Sequence, residues 1–166
     1  DGDIGQSWIG PPAVVSLGTP DGVQAGYFVG DGSPRGSLLQ VITGIALMAR
    51  RAGRPCLIDT DGYITDGAAR AYKTELINLL RPDLLVLMQR RDELDYYTLY
   101  ARKGIGVIAL HVRHQSEKTR GERIRAREQA FRDYFRLAEQ RRFTLGGVYF
   151  ERGLLGRGER LDTQML

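Results

Sequence analysis

The residues best suited to chemistry come first in the chain: Asp1-Gly2-Asp3-Ile4-Gly5-Gln6-Ser7. Carboxylates packed this closely, followed by a glycine and an amide, suit the mouth of a nucleotide site. Asp3, at a strand end, can hold a magnesium-bound water or take the proton of an attacking hydroxyl. Gly5 lets the backbone approach a phosphate, and Gln6 can orient a water or a substrate oxygen. The same residues also read as an acidic turn, so the remainder of the chain has to supply the other parts of such a site.

Two further stretches bear on it. Asp59-Thr60-Asp61-Gly62-Tyr63 runs from an apolar segment into a glycine-containing loop. Thr60 offers a hydroxyl, Gly62 an unencumbered backbone and Tyr63 a ring that packs over a ligand; the alternative is an ordinary strand-to-helix turn. The second stretch is basic: residues 113–142 hold ten basic against five acidic side chains. Arg123 and Arg127 are four apart and share one helical face. Guanidinium forks match phosphate oxygens and keep their charge at any physiological pH, so such a face can clamp transferring phosphates. A solvated helix, paired through Glu122, Glu128 and Asp133, is the alternative. His111 and His114 have no cysteine or third histidine to complete a metal site and read as structural or exposed.

The elements that must position these residues follow from hydrophobic periodicity. Residues 13–17 and 23–29 read as strands joined by the turn Gly18-Thr19-Pro20-Asp21-Gly22. Residues 37–51 read as an amphipathic helix closed by Gly53 and Pro55. Cys56-Leu57-Ile58-Asp59 reads as a buried strand, residues 67–80 as a helix and 84–88 as another buried strand. Residues 92–101 read as a helix capped by Asp92, 106–112 as a strand, 118–139 as a long Arg-rich helix or helix pair, and 143–150 as a last strand. Apolar strands alternating with helices predict an α/β fold, a mostly parallel sheet covered on both faces, with ligands beyond the carboxyl ends of its strands.

Length and composition are consistent with this. The chain has 166 residues, 42% of them hydrophobic, and a formal net charge of +4, too weak a bias to require a polyanionic partner. Cys56 is the sole cysteine, which excludes an internal disulfide and a cysteine-based zinc site. Apolar runs stop short of a membrane span and no signal peptide is visible, so a soluble cytoplasmic protein is expected. The acidic cluster with no apolar strand before it, and an uncapped final stretch, read as a piece of a longer protein.

Taken together the motifs resemble the polynucleotide 5′-hydroxyl kinases, related to the kinase subunit of the eukaryotic cleavage and polyadenylation machinery and to the nucleolar rRNA-processing kinase. That family has a Walker B segment of form D-x-x-Q followed by a proline turn and a short strand; here Asp3-Ile4-Gly5-Gln6 precedes Pro11-Pro12 and Val14-Val15-Ser16-Leu17. Its aromatic-[IV]-G-x-x-S-P stretch before a helix is matched by Tyr27-Phe28-Val29-Gly30-Asp31-Gly32-Ser33-Pro34. Its T-x-G-W clasp is matched by Thr60-Asp61-Gly62-Tyr63, with Tyr63 where the family usually has Trp. Its R-x-x-x-R lid before a Y-F pair is matched by Arg123, Arg127 and Tyr134-Phe135. The resemblance covers roughly residues 1–150. One departure is larger: no G-x-x-x-x-G-K-[ST] loop occurs in the 166 residues.

The resemblance implies a P-loop NTPase-like three-layer fold, truncated at the N-terminus and at the C-terminus, with residues 1–150 a partial kinase domain and 151–166 the start of an extension. It implies ATP and magnesium as cofactors, and RNA or DNA with a 5′-hydroxyl end as substrate, RNA being favoured. RNA-processing protein partners fit the same family. Asp3 would accept the nucleophile's proton or hold the magnesium that orders it, and Gln6 would position the nucleophile. Asp1 would be an outer partner of the metal or a plain strand-end residue. Thr60, Gly62 and Tyr63 would clasp the terminal nucleotide, and Arg123 and Arg127 would close over the γ-phosphate. Without the phosphate loop the 166 residues alone should bind ATP poorly and transfer nothing. A non-catalytic scaffold for RNA-processing partners and an unrelated P-loop ATPase or GTPase are the competing readings.

Overall fold

Two apolar strands separated by a two-residue loop can pair only as a hairpin. The computed structural model, which describes residues 1–53, 55–112 and 118–142, shows this for β1 (Val14–Thr19) and β2 (Gly22–Phe28). They are antiparallel, with Val14 opposite Phe28 and Thr19 opposite Gly22. Helix α1 (Leu38–Ala52) lays Val41, Gly44 and Ile45 on this hairpin. A Cβ on Gly44 would stand 2.7 Å from Tyr27 Cδ1 and 3.0 Å from Val15 Cγ2, so the absent side chain lets helix and strands approach closely. Gly53, at φ 71°, ends the helix in a conformation that favours glycine.

Helix α2 (Gly67–Leu80) starts at Asp66, whose carboxylate accepts the Ala69 N–H at 2.9 Å. It stops at Arg81, left-handed at φ 47°, whose N–H reaches Ile77 O at 2.9 Å, with Pro82 beyond. Its buried face holds Ala69, Tyr72, Leu76 and Ile77, and also Lys73. Ile4, Val15, Val29, Val41, Ile45, Tyr72 and Leu76 form one core. Ile4, 0% exposed, sits inside the acidic loop, and its burial, worth about 1.5–3 kcal/mol, pins that loop to the core.

A second core is built from Ile77, Leu87, Tyr97 and Tyr100. It lies under the parallel pair β3 (Leu84–Gln89) and β4 (Gly106–His111), which run in register from Leu84 opposite Gly106 to Gln89 opposite His111. The α/β class and parallel pairing are as the sequence predicts. The expected helix over 92–101 is instead a 3₁₀ helix, Asp95–Lys103, with no side-chain cap. The two N–H groups that an Asp92 cap would accept are taken: Gln89 Oε1 accepts from Leu94 N and the Asp92 carbonyl from Asp95 N. Glu93 accepts from the Arg90 and Arg91 N–H groups at 2.8 and 2.9 Å, and Gln89 bridges Leu94 N and Asp95 Oδ1 at 2.9 and 2.6 Å.

Two expectations are corrected. Cys56-Leu57-Ile58-Asp59 forms no strand, and Leu57 is 92% exposed rather than buried. A strand needs a ladder; Asp59 O accepts a single bond from Gly2 N, at 2.7 Å. The segment instead lines two cavities of about 700 and 1230 Å³. Among the described residues the parallel pair is covered on one face only: Leu87 and Gln89 are buried, while Leu84, Val86, Met88, Ile108 and Leu110 are exposed.

Helix α3 (Arg120–Phe135) is shorter than the predicted 118–139 and buries no residue. Its start is a reciprocal cap: Glu122 Oε2 accepts from Thr119 N and Oγ1 at 2.6 and 2.8 Å, and Thr119 Oγ1 accepts from Glu122 N at 3.2 Å. These bonds hold the Glu122 carboxyl below the usual carboxylate range. The chain divides into two compact units, Asp1–Tyr134 and Phe135–Leu166. In the second, the described residues 135–142 leave the helix through a turn closed by Ala138 N to Phe135 O at 3.0 Å. His114, the predicted strand 143–150 and the extension 151–166 lie outside the described residues. Among the described residues no helix is long and apolar enough to cross a membrane.

Candidate active site

The acidic loop is shaped by its own carboxylates. Asp1 Oδ1 accepts from Asp3 N at 3.0 Å; its Oδ2 accepts from Ser7 Oγ, Trp8 N and Ile9 N at 2.9, 2.6 and 3.2 Å. Asp3 Oδ1 accepts from Gly5 N at 2.9 Å and Gln6 N at 3.0 Å, an Asx turn that leaves Oδ2 outside these bonds. Asp1 therefore commits both oxygens to loop geometry, whereas half-buried Asp3 keeps one that is not part of the turn.

The loop meets two other segments. A Cβ on Gly5 would lie 2.9 Å from Gly32 O, and one on Gly32 would lie 2.9 Å from Arg127 Nη1. Arg127 Nη1 donates to Gly32 O at 3.2 Å. A larger residue at 5 would push against the Gly32 backbone, whereas one at 32 would displace the Arg127 guanidinium. Lys118 Nζ donates to Gln6 Oε1 at 3.2 Å, so the residues leading into α3 also reach the loop. Arg123, one turn before Arg127, is exposed.

The Thr60–Tyr63 loop is joined to the acidic loop through Gly2 N and Asp59 O. Its anchor is Asp61, 5% exposed: Oδ1 accepts from Tyr63 N at 3.0 Å, Oδ2 from Tyr72 Oη at 2.7 Å, and the Asp61 carbonyl from Lys73 Nζ at 2.7 Å. Tyr63 Oη donates to the Asp66 carboxylate at 2.7 Å and Arg35 lies 5.2 Å over the Tyr63 ring, which ties this loop to Ser33-Pro34-Arg35. The bond to Asp66 pushes the Tyr63 hydroxyl up, and the Ala69 N–H holds Asp66 below its ordinary value. Thr60 is half-buried and Gly62 exposed. A Cβ on Gly62 would meet nothing within 4 Å, so the fold itself does not demand a glycine there.

Sequence reasoning missed Lys73, Tyr72, Lys118 and Arg35. A signal existed for Lys73, a cation inside the apolar stripe Ala69-Tyr72-Leu76-Ile77, and the T-x-x-E of Thr119 and Glu122 is a readable cap. Lys118 and Arg35 act through contacts distant in sequence. Among the described residues no group of three or more His, Cys, Asp or Glu can hold a metal ion. One partly committed carboxylate, Asp3, fits magnesium carried largely by water and nucleotide phosphates, not a protein cage.

A parallel strand pair on an α/β scaffold is consistent with the P-loop NTPase-like fold. More narrowly, the chain belongs to the family described as mRNA cleavage and polyadenylation factor CLP1 P-loop, whose model matches residues 1–136. It is similar to polyribonucleotide 5′-hydroxyl-kinases of three archaea. The one from Methanocaldococcus jannaschii is 29% identical over 149 residues, 82% of this chain and 41% of that protein. The one from Thermococcus kodakarensis is 29% identical over 161 residues, 89% of this chain and 45% of that protein. The one from Pyrococcus horikoshii is 31% identical over 150 residues, 81% of this chain and 40% of that protein. The chain thus spans less than half the length of these relatives. P-loop kinases use ATP, generally with magnesium.

Proposed function

We propose that the chain is part of a kinase that moves the γ-phosphoryl group of ATP to the 5′-hydroxyl of a polynucleotide, RNA in the first place. The observation that carries this reading is the meeting of Asp3, Gln6, Gly32 and Arg127: a carboxylate, an amide, an open backbone and a guanidinium around one loop. The hydroxyl oxygen forms a bond to the γ-phosphorus as the bond from phosphorus to the leaving ADP oxygen breaks, and the nucleophile's proton passes to Asp3. Gln6 positions the nucleophile, and Arg127 with Arg123 neutralises charge on the transferring group. Thr60 and Gly62 hold the terminal nucleotide beside Tyr63, and the glycine that the fold does not require is explained by close approach of that ligand. Magnesium, when bound, offsets phosphate charge; Asp3 would hold it through water, with Asp1 acting by shaping the loop.

The reading needs a phosphate-cradling loop, which the 166 residues do not contain; we assign that loop to the further length that the relatives possess. Residues 1–150 are then part of the kinase domain, and 151–166 begin a C-terminal extension. RNA-processing proteins are the expected partners, and the cell interior the expected location. Transfer of labelled phosphate from ATP to 5′-hydroxyl RNA and DNA oligonucleotides by the complete gene product tests this. Label on RNA supports it; RNA binding with no transfer favours a non-catalytic scaffold.

A further inference from the structure

Lys73 is a charged side chain on the buried face of an apolar helix, 8% exposed, and the mechanism above does not use it. Its Nζ lies 2.7 Å from the Asp61 carbonyl and 3.3 Å from Asp61 Oδ1, and 4.9 Å over the ring of its neighbour Tyr72. The Tyr72 hydroxyl takes the other Asp61 oxygen at 2.7 Å, and the Tyr63 N–H shares Oδ1 at 3.0 Å. Both Asp61 carboxylate oxygens and its carbonyl are thus bound from within one helix and its own loop. Burial pulls the Lys73 ammonium down from its ordinary value, while Asp61 first, and then Asp3 and Asp59, pull it back up. The lysine therefore sits in the field of the acidic loop as well as that of Asp61.

Stability alone gives a weak reason for this arrangement. Buried ion pairs are often matched or bettered by apolar residues of similar volume, and α2 already packs through Ala69, Leu76 and Ile77. What the pair adds is direction. With Asp61 clamped, Thr60 and Gly62 on either side of it are fixed in a loop that the Gly2 N–Asp59 O bond ties to the acidic loop carrying Asp3.

We propose that Lys73 and Tyr72 are positioning residues: through Asp61 they hold Thr60 and Gly62 where the terminal nucleotide phosphate of the polynucleotide is bound. The proposal rests on the kinase reading and deepens it, since neither residue touches substrate.

The test uses the complete gene product carrying Lys73→Met, which keeps the length of the side chain and removes its charge, and Tyr72→Phe. Lys73→Met should raise KM for a 5′-hydroxyl oligonucleotide roughly tenfold, leaving KM for ATP and kcat within about threefold, and should lower the thermal midpoint, because Asp61 stays buried without its cation. Tyr72→Phe, which removes one of the bonds, should raise the oligonucleotide KM about threefold. An unchanged oligonucleotide KM in folded Lys73→Met overturns the proposal. Should that variant fail to fold, an unchanged KM in folded Tyr72→Phe overturns it instead. Anisotropy of a labelled 5′-hydroxyl RNA separates the two readings. If the wild type transfers no phosphate, the kinase reading fails, while roughly tenfold weaker RNA binding by Lys73→Met still supports the positioning role and equal binding refutes it.

Discussion

Asp3→Asn isolates chemistry from architecture. In the proposed site Oδ1 of Asp3 closes the turn through Gly5 N and Gln6 N at 2.9 and 3.0 Å, while the carboxylate takes a proton and would hold magnesium through water. Asparagine keeps an acceptor oxygen in the same place, so the turn survives. A charged acceptor is worth about 1.5–3 kcal/mol per bond and a neutral one about 0.5–1.5 in a buried setting. Asp3 is half-buried, which reduces the difference to about 1 kcal/mol or less and the thermal midpoint by about 2–4 °C. Loss of the base should lower turnover by about 10²–10⁴, or roughly 2.7–5.4 kcal/mol of barrier. Asp3→Ala should lose the same turnover and also both turn bonds, for about 2 kcal/mol of stability. Label transfer from ATP to a 5′-hydroxyl RNA, and thermal unfolding of both variants, measure the two quantities. Turnover near wild type in Asp3→Asn removes Asp3 from the mechanism. Equal destabilisation by Asn and Ala refutes the turn argument.

Three other perturbations probe separate parts of the structure. Arg127→Ala should lower kcat by about 10²-fold with little change in KM for ATP, and Arg127→Lys should restore only part of it because a point charge cannot replace the fork; a pure KM effect argues against a lid role. Gly44→Ala sets a helix-propensity gain of about 1 kcal/mol against overpacking of about 1–3 kcal/mol, since the new methyl would meet Tyr27 at 2.7 Å. Urea denaturation should show a net loss of up to about 2 kcal/mol, and stabilisation would contradict the close approach of α1 to the hairpin. The Asp66 carboxyl is held below its ordinary value of 3.8, so its contribution is complete above that pH and is lost as pH falls through the lowered folded value. Asp66→Asn, which caps without titrating, should flatten that part of an acid titration followed by circular dichroism; identical wild-type and variant curves would count against the cap.

Local rules made much of this legible. The hairpin, α1, α2 and the parallel pair follow from apolar spacing, with Gly53 and Pro55 closing α1, because short-range sterics and caps decide where helices start and stop. The D-x-x-Q, clasp and lid patterns were likewise readable as residue types in order. Partnership was not. Cys56–Asp59 has the composition of a buried strand, yet a strand exists only when another backbone pairs with it. Asp92 has the side chain of a helix cap, yet Gln89 takes the Leu94 N–H that it would accept. Asp1 and Asp3 look alike in sequence, but hydrogen bonds commit both oxygens of one and leave one of the other outside the turn.

Side-chain type and short spacing were enough to set most secondary elements, the family and the chemical character of the candidate residues. Folding in three dimensions was needed to bring Arg127 to Gly32, 95 positions away, and Lys118 to Gln6, 112 away, and to place Lys73 against Asp61 inside the core. Those contacts depend on how α3 and α2 meet loops from elsewhere in the chain, and desolvation and hydrogen bonding, not local propensity, decide which groups meet there.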